Sequence, residues 1–371
     1  MLKGPRQVGK TSFLEKLGLQ NIVYLDDPVL RRLANQDPRS FLDQYPSTLV
    51  LDEAAKAPEL FSEIKRRVDE ERRNAGSVIN YWITGSNQTL LRKSVSESLA
   101  GRASYFDLNT LSVHELGEFH LRDQVMRGGW PELRSRPALG SSRYLNDLIT
   151  SFIERDIVAA AGITKTAAFS TVLALDAGRV GQLFEASEVA QLASVDLTTV
   201  QAWNNLLSLN GVIELVKPYF SNLNKRLTKT PKIYFHDVSL AVRLQGWSDF
   251  LPLFQSPQIG HVFENIVFSE IHRYFINRGE TPRVFHLRSK EKVEIDFLVE
   301  LSNQRFVAIE AKMTPGEFSL KQVNLLESLK LNIVNRFCVS ATQVAPLNSC
   351  QSILVSNIWD RLAEFDSKQY E

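Results

Sequence analysis

The chain has 371 residues, of which 44% are hydrophobic and 23% are charged, and its formal net charge is +1. This composition is typical of a globular protein of several domains, and the near-neutral charge excludes nucleic-acid or membrane binding driven by a strong overall field. Two cysteines without neighbouring ligands exclude a disulfide scaffold, and the absence of a long apolar run excludes a membrane span and favours a cytoplasmic protein.

Residues 1–115 alternate apolar, strand-like runs with helical patterns. The predicted strands are Ile22–Leu25, Thr48–Leu51, Val78–Thr84 and Ser104–Leu108. Such alternation is typical of βαβ units with a mostly parallel sheet, so the fold class predicted here is α/β.

A phosphate-binding loop is predicted at the start of this region. Its pattern is G-x-x-x-x-G-K-[ST], in which glycines let backbone N–H groups face phosphate oxygens. Lys10 would then contact the β- and γ-phosphates of ATP, and Thr11 would bind Mg²⁺; a chance match is the alternative. The predicted nucleotide-binding residues are Gly4, Pro5, Arg6, Gln7, Val8, Gly9, Lys10, Thr11 and Ser12.

Two acids follow the apolar run Thr48–Leu51. At the end of a buried strand beside the loop, Asp52 could hold Mg²⁺ and Glu53 could polarise the attacking water. The alternative is a buried strand that merely ends in solvated acids.

Two further catalytic candidates come later in the predicted ATPase core. Asn87, with Ser86, follows the strand-like run Tyr81–Thr84 and could sense the γ-phosphate; a polar turn is the alternative. Arg102 could act as an arginine finger, in cis or from another copy of the chain, or could form a structural ion pair.

The middle of the chain is predicted to be a helical connector over residues 116–169 and a winged helix-turn-helix over residues 170–246. Helices are expected at Ser187–Ala193 and Leu197–Asn210. The second helix would expose the groove-reading side chains Thr198, Thr199, Gln201, Asn204 and Asn205. A basic wing that grips DNA phosphates would contain Lys217, Lys225, Arg226, Lys229 and Lys232. A protein-binding winged helix is the alternative.

Residues 247–371 are predicted to form an α/β domain with an acidic site. In two period-two strands, Val293–Val299 and Phe306–Lys312, a turn centred on Asn303 would place Asp296 opposite Glu310. A divalent cation between them would relieve their repulsion, Lys312 would stabilise developing negative charge, and Glu264 could add a ligand. Exposed acid and lysine pairs on a sheet are the alternative. The six histidines show no ligand spacing.

The motifs GPRQVGKT, LVLDEA, WITGSN and SLAGR, in this order, resemble predicted bacterial and archaeal AAA-type ATPases with a C-terminal domain of unknown function. Further likeness lies in FIERDI, PYFSNL and GHVFEN, so it covers nearly the whole chain. The resemblance implies an AAA-type core, a winged helix and a C-terminal region similar to restriction endonucleases, with a PD-(D/E)xK arrangement in Asp296, Glu310 and Lys312.

One departure from the resembled family concerns the strand that precedes the loop. Only three residues come before Gly4, whereas family members have a helix and a strand there. The sequence therefore predicts that the first strand is missing, either because the native protein begins upstream or because this copy is truncated, and the hypothesis preferred here is that it begins upstream.

The function predicted from these motifs is an ATP-hydrolysing, Mg²⁺-dependent AAA-type protein that acts on DNA, with Mg²⁺-dependent nuclease activity in its C-terminal domain. A finger in trans would require a homo-oligomer. The alternative is a nucleotide-dependent regulatory module that binds DNA or protein and whose nuclease-like domain is inactive.

Overall fold

The computed structural model describes residues 1–46, 48–74, 80–85, 89, 91, 99–136, 140–219, 230–342 and 352–367, without the side chains of Asn74, Arg155 and Ser367. The chain divides into two compact units. The first contains Met1–Asn109, Thr150–Thr164 and Leu209–Gly211, and the second contains Thr110–Ile149, Lys165–Ser208 and Val212–Glu371.

The first unit contains a parallel sheet. Its strands are β1 (Leu2–Lys3), β2 (Ile22–Tyr24), β3 (Leu49–Asp52), β4 (Tyr81–Ile83) and β5 (Phe106–Asp107). β3 lies between β2 and β4, β1 pairs with β5, and a parallel bridge between Leu2 and Thr84 joins the two groups in the order β2-β3-β4-β1-β5. The fully buried apolar run of β3 suits a strand that is covered on both faces.

The helices of this unit follow the alternation predicted from the sequence. They are α1 (Lys10–Lys16), α2 (Pro28–Gln36), α3 (Pro38–Asp43) and α4 (Glu59–Asn74). Asp27 caps α2, with its carboxylate accepting from the backbone N–H of Val29 at 2.7 Å, and Pro28 takes the first helical position. Phe41, Leu60, Phe61 and Ile64 of α3 and α4 belong to the core beside β3.

The prediction that the first strand is missing was wrong. Leu2 and Lys3 form a strand at an interior position of the sheet, where Leu2 is buried against Leu14 and Val50. The backbone of Lys3 accepts a hydrogen bond from Leu108 N at 2.8 Å, and Met1 accepts one from Phe106 N at 2.8 Å. The neighbouring strands β4 and β5 are also short, with three and two residues.

The second unit begins with short helices and continues into a helix pair and a β-hairpin. The helices that precede the hairpin in chain order are α5 (Val113–Leu116), α6 (Leu121–Arg127), α7 (Pro131–Ser135), α8 (Ser141–Leu148), α9 (Val158–Ala161, in the first unit), α10 (Thr166–Gly178), α11 (Ala186–Leu192) and α12 (Leu197–Leu209). A π-helical segment, Ile149–Ile157, lies between α8 and α9. The hairpin pairs β6 (Ile213–Val216) with β7 (Lys232–Phe235), antiparallel.

The C-terminal part of this unit contains a mixed five-stranded sheet. Its helices are α13 (Val238–Leu244), α14 (Phe250–Phe254), α15 (Ile259–Asn277), α16 (Leu320–Ser328) and α17 (Ile358–Ser367), and its strands are β8 (Val284–Arg288), β9 (Glu294–Glu300), β10 (Arg305–Lys312), β11 (Asn332–Ser340) and β12 (Ser352–Leu354). The strand order is β12-β11-β10-β9-β8, antiparallel from β8 to β10 and parallel from β10 to β12. Among the described residues no helix is long and apolar enough to cross a bilayer.

Candidate functional site

The loop between β1 and α1 approaches the neighbouring backbone closely at Gly4. A Cβ atom at this position would lie 2.0 Å from the carbonyl oxygen of Leu108, and the φ angle is +149°. Gly9 ends the loop with a φ angle of +87°. Both positions need glycine, one for space and backbone conformation and the other for conformation alone.

Lys10, the first residue of α1, is buried beside this loop. Its Nζ atom donates hydrogen bonds to the carbonyl oxygens of Pro5 at 2.8 Å and Gly4 at 3.0 Å. Burial lowers the pKa of Lys10 to about 8, although the nearby carboxylates of Glu53 and Asp52 oppose that shift. Within the part of the chain that the structure describes, the Lys10 ammonium contacts carbonyl oxygens and forms no ion pair at contact distance, an arrangement that suits a phosphate group.

The other loop residues lie around this lysine. Val8 is buried, Gln7 takes a left-handed backbone conformation with a φ angle of 65°, and Ser12 is exposed on α1. Arg6 points its Nη1 atom to Asp156 Oδ2 at 2.5 Å.

Asp52 stands at the end of β3, beside the loop. Its Oδ2 atom accepts a hydrogen bond from Thr11 Oγ1 at 3.3 Å, and its Oδ1 atom accepts one from Thr84 Oγ1. A threonine hydroxyl beside an aspartate carboxylate is an oxygen donor set that fits Mg²⁺. Thr84, which the sequence reasoning did not assign, positions the carboxylate from the end of β4.

Glu53 follows Asp52 in a left-handed backbone conformation, with φ 55° and ψ 39°. This conformation is uncommon for a residue with a side chain, and such strain clusters at functional sites. The sheet holds it in place, because Ala54 N donates to Thr84 O at 3.0 Å.

Arg102 forms a two-pronged ion pair with Asp69 of α4. The distances are 2.6 Å from Nε to Oδ1 and 2.9 Å from Nη2 to Oδ2. The structure thus shows the ion pair that was the alternative to an arginine finger. The finger role stays a prediction, and it would require Arg102 to separate from Asp69. Asn87 and Ser86 lie outside the described residues.

The predicted acids of the C-terminal domain lie together. The register that pairs Ile309 with Phe297 places Glu310 opposite Asp296, as the turn at Asn303 predicts. Asp296 N donates to Glu310 Oε1 at 3.1 Å, and Ala311 N donates to Asp296 Oδ2 at 3.0 Å. Lys312 Nζ lies 3.4 Å from Glu310 Oε2.

Lys232 was assigned from sequence to a basic wing, and that assignment was wrong. Its side chain is only 2% exposed and lies among acids. Its Nζ atom is 2.7 Å from Glu264 Oε1 and 3.5 Å from Asp296 Oδ1, and it also contacts Glu294 Oε1. The reason is the position of Lys232 at the start of β7, where the strand turns its side chain into the domain rather than to solvent.

The charges in this acidic cluster depend on Lys232. Burial raises the pKa of Asp296 well above its usual range, and Glu264 and Glu310 add to that shift while Lys232 opposes it. Burial also raises the pKa of Glu310. Burial acts in the same direction on Glu264, but Lys232, His261 and Tyr234 outweigh it and lower the pKa of that carboxyl. The Lys232 ammonium already neutralises these carboxylates. The acidic cluster therefore does not fit Mg²⁺ as long as Lys232 lies among the acids.

The face of β7 and one stripe of α15 form a ladder of three contacts. Lys232, Tyr234 and His236 alternate along the strand, and Glu264, Phe268 and His272 recur every four residues along the helix. The Tyr234 and Phe268 rings stack with centroids 4.6 Å apart, and those of His236 and His272 are 4.5 Å apart. A spacing of two residues along the strand and of four along the helix is the sequence pattern from which these three contacts could have been predicted.

The helix pair α11–α12 presents only part of the predicted recognition face. Thr198, Gln201 and Asn205 are exposed, whereas Asn204 is buried, and its assignment to the groove-reading face was wrong. It shares the buried side of α12 with Val200, Trp203 and Leu207. Lys217 is exposed after β6. Lys225, Arg226 and Lys229 lie outside the described residues.

Three protein families match consecutive parts of the chain. The family described as AAA domain matches residues 1–117. Two families described as domains of unknown function follow, DUF8612 over residues 118–251 and DUF4143 over residues 259–354. The N-terminal match and the loop geometry define the class of protein, a nucleotide-binding protein of the AAA type.

Full-length relatives extend this match over most of the chain. The uncharacterized protein Rv2008c of Mycobacterium tuberculosis and Mb2031c of Mycobacterium bovis are each 30% identical over 357 residues, which is 93% of this chain and 79% of the relative. The uncharacterized protein MJ1544 of Methanocaldococcus jannaschii is 23% identical over 288 residues, 71% of this chain and 63% of the relative. The chain therefore belongs to the same family as the two mycobacterial relatives, and its N-terminal part matches the AAA domain family.

Proposed function

We propose that this protein binds ATP with Mg²⁺ at the loop Gly4–Thr11 and hydrolyses it. The observation that carries the proposal is the buried Lys10 ammonium beside the Thr11–Asp52 oxygen pair. A phosphate chain would replace the two loop carbonyls as the partner of Lys10.

Each residue then has a separate task. Lys10 binds the β- and γ-phosphates, Thr11 and Asp52 hold Mg²⁺, and Glu53 orients and polarises water. Mg²⁺ would neutralise charge that develops on the phosphates. Asn87 as a γ-phosphate sensor and Arg102 as a finger belong to the same proposal, and a finger supplied in trans would require a homo-oligomer.

Three variants test this site. Lys10→Ala should abolish ATP binding in calorimetry, whereas Lys16→Ala, an exposed lysine on the same helix, should bind as the parent does. Glu53→Gln should retain binding and lose phosphate release. Equal ATP affinity in the parent protein and Lys10→Ala would refute the assignment of the loop.

We further propose that the protein acts on DNA through α12 and the segment after β6. The support is the exposed set Thr198, Gln201 and Asn205, with Lys217 beyond it. A double variant Gln201→Ala/Asn205→Ala should weaken binding to a labelled duplex, and raising the salt concentration should weaken it further. Duplex binding that is insensitive to both would contradict this interface.

The acidic cluster supports two candidate roles for the C-terminal domain. Asp296, Glu310 and Lys312 have the arrangement of a Mg²⁺-dependent nuclease, so cleavage is one proposal. The Lys232 ammonium among the acids favours the other proposal, a regulatory module that binds DNA or protein and does not cleave while Lys232 stays in place.

A plasmid-nicking assay separates these roles. The full-length protein is incubated with Mg²⁺ or Mn²⁺, with and without ATP. Nicking that Asp296→Ala or Glu310→Ala abolishes, while ATP hydrolysis is kept, would support cleavage. No nicking under any condition would support the regulatory module, and nicking unaffected by both variants would show a contaminating nuclease.

A further inference from the structure

A second cluster of ligating side chains lies at the other end of the ladder between β7 and α15. Glu214 is on β6, His236 directly follows β7, and His272 is on α15. One ligand atom from each residue lies within 4.8 Å of the others, and His236 Nε2 is 3.6 Å from Glu214 Oε2.

The His236 imidazole has unsatisfied polar atoms. Among the described residues, neither ring nitrogen of His236 has a hydrogen-bond partner, and both are buried. His272 is only 8% exposed, and it lines a cavity of about 340 Å³ together with Glu214. Because buried polar groups nearly always have a partner, these nitrogens indicate a missing one.

We propose that Glu214, His236 and His272 bind a divalent transition metal of the zinc class. Two imidazole nitrogens and one carboxylate are a three-ligand set that zinc takes in proteins, with a further position left open. At zinc–ligand distances of about 2.1 Å the ligand atoms stand about 3.4 Å apart, so the distance between each pair needs to shorten by up to about 1.4 Å. Glu214 can move because its side chain is 41% exposed.

The surrounding charges are compatible with a cation. Arg273 lies near the cluster, and Lys217 and Arg283 line the cavity. The Arg273 guanidinium is paired with Glu270 at 3.1 Å and Asp237 at 3.7 Å, and the Arg283 guanidinium is paired with Glu300 at 3.6 Å. The neutral imidazole is the form of histidine that binds metal. A bound ion would join the hairpin to α15.

The test measures Zn²⁺ binding to the full-length, chelator-treated protein without nucleotide, by calorimetry and by metal analysis after dialysis. We expect one ion per chain in the parent protein and in His120→Ala, an exposed histidine outside the cluster. Glu214→Gln should weaken binding at least tenfold, and His272→Ala should abolish it. Co²⁺ provides a visible spectrum that reports nitrogen and oxygen ligation.

Glu214→Gln keeps the test decisive if the buried His272→Ala variant does not fold, because residue 214 is partly exposed. Equal affinity in the parent protein and Glu214→Gln would overturn the proposal and place the ion elsewhere. Absence of Zn²⁺ binding by the parent protein would also overturn it, leaving two packed histidines. Neither result bears on ATP binding at the loop.

Discussion

Replacing Lys232 by methionine tests whether the ammonium holds the acidic cluster together. The substitution keeps the length and the apolar stem of the side chain and removes the charge. Lys232 is 2% exposed and lies beside three carboxylates. Removing one partner of a buried ion pair costs about 3–5 kcal/mol of unfolding free energy, because the remaining charges stay buried without compensation.

That cost converts to a shift in melting temperature. The second unit has roughly 240 residues, for which the unfolding entropy is about 0.5 kcal/mol/K. Lys232→Met should therefore melt about 6–10 °C below the parent protein at pH 7, measured by calorimetry. Lys217→Met, an exposed lysine just after β6, is the matched control and should change the melting temperature by about 1 °C.

Two further measurements show whether charge causes the loss. Lys232 lowers the pKa of Glu264 and opposes the rise of the pKa of Asp296, so both carboxyls take up protons more readily in Lys232→Met, and the difference in melting temperature between that variant and the parent protein should narrow as the pH falls. Adding Glu264→Gln to Lys232→Met should recover part of the stability, because it removes a charge that has lost its partner. If Lys232→Met and Lys217→Met have the same melting temperature at every pH, the Lys232 ammonium does not stabilise the acidic cluster.

Three other perturbations address the loop and the helix pair. Gly4→Ala should lower the free energy of unfolding by about 1–3 kcal/mol, because the added Cβ atom would collide with the carbonyl oxygen of Leu108. Gly140→Ala is the control, because its Cβ atom would enter open space, and thermal melts compare the two variants. Because the pKa of Lys10 is about 8, ATP affinity in calorimetry should fall about tenfold from pH 7 to pH 9, and an unchanged affinity would contradict a charged ligand at Lys10. Burial raises the pKa of Asp176 well above 3.8, so the protonated carboxyl stabilises the fold below pH 3.8 and this contribution is lost as the pH rises. The free energy of unfolding of Asp176→Asn, measured by denaturant titration, should therefore rise relative to that of the parent protein with increasing pH, by at most about 1.4 kcal/mol per pH unit.

Local patterns predicted much of the structure. The apolar runs predicted β2 to β5, β9 and β10 within a few residues, and the turn at Asn303 predicted the register that places Asp296 opposite Glu310. These features depend on periodicity and turn chemistry, which short stretches of sequence contain. The role of β1 was missed, because interior sheet position depends on partners more than 80 residues away, at Thr84 and Phe106.

The remaining misses concern polar residues whose surroundings come from distant segments. Lys232 was assigned to a basic wing because its neighbours in the sequence are basic. Its partners in the structure, Glu264 and Asp296, are distant in the sequence. Asn204 has the composition of a groove-reading residue but faces the buried side of α12. Which side of an element is covered follows from tertiary packing, and a single sequence contains that information only indirectly.

The ladder between β7 and α15 links the proposed metal site to the acidic cluster. Lys232 and His236 are four residues apart on one strand, about 13 Å, so a strand held at His236 is also held near Glu264. Because Mg²⁺ fits the acidic cluster only when Lys232 leaves it, a zinc-class ion on His236 and His272 should keep Lys232 in place and raise the Mg²⁺ concentration needed to displace it. Glu214→Gln separates this coupling from direct competition, because competition at the acids would persist in the variant while coupling would disappear. Mg²⁺ binding that is indifferent to Zn²⁺ in the parent protein would show that the two ends of the ladder act independently.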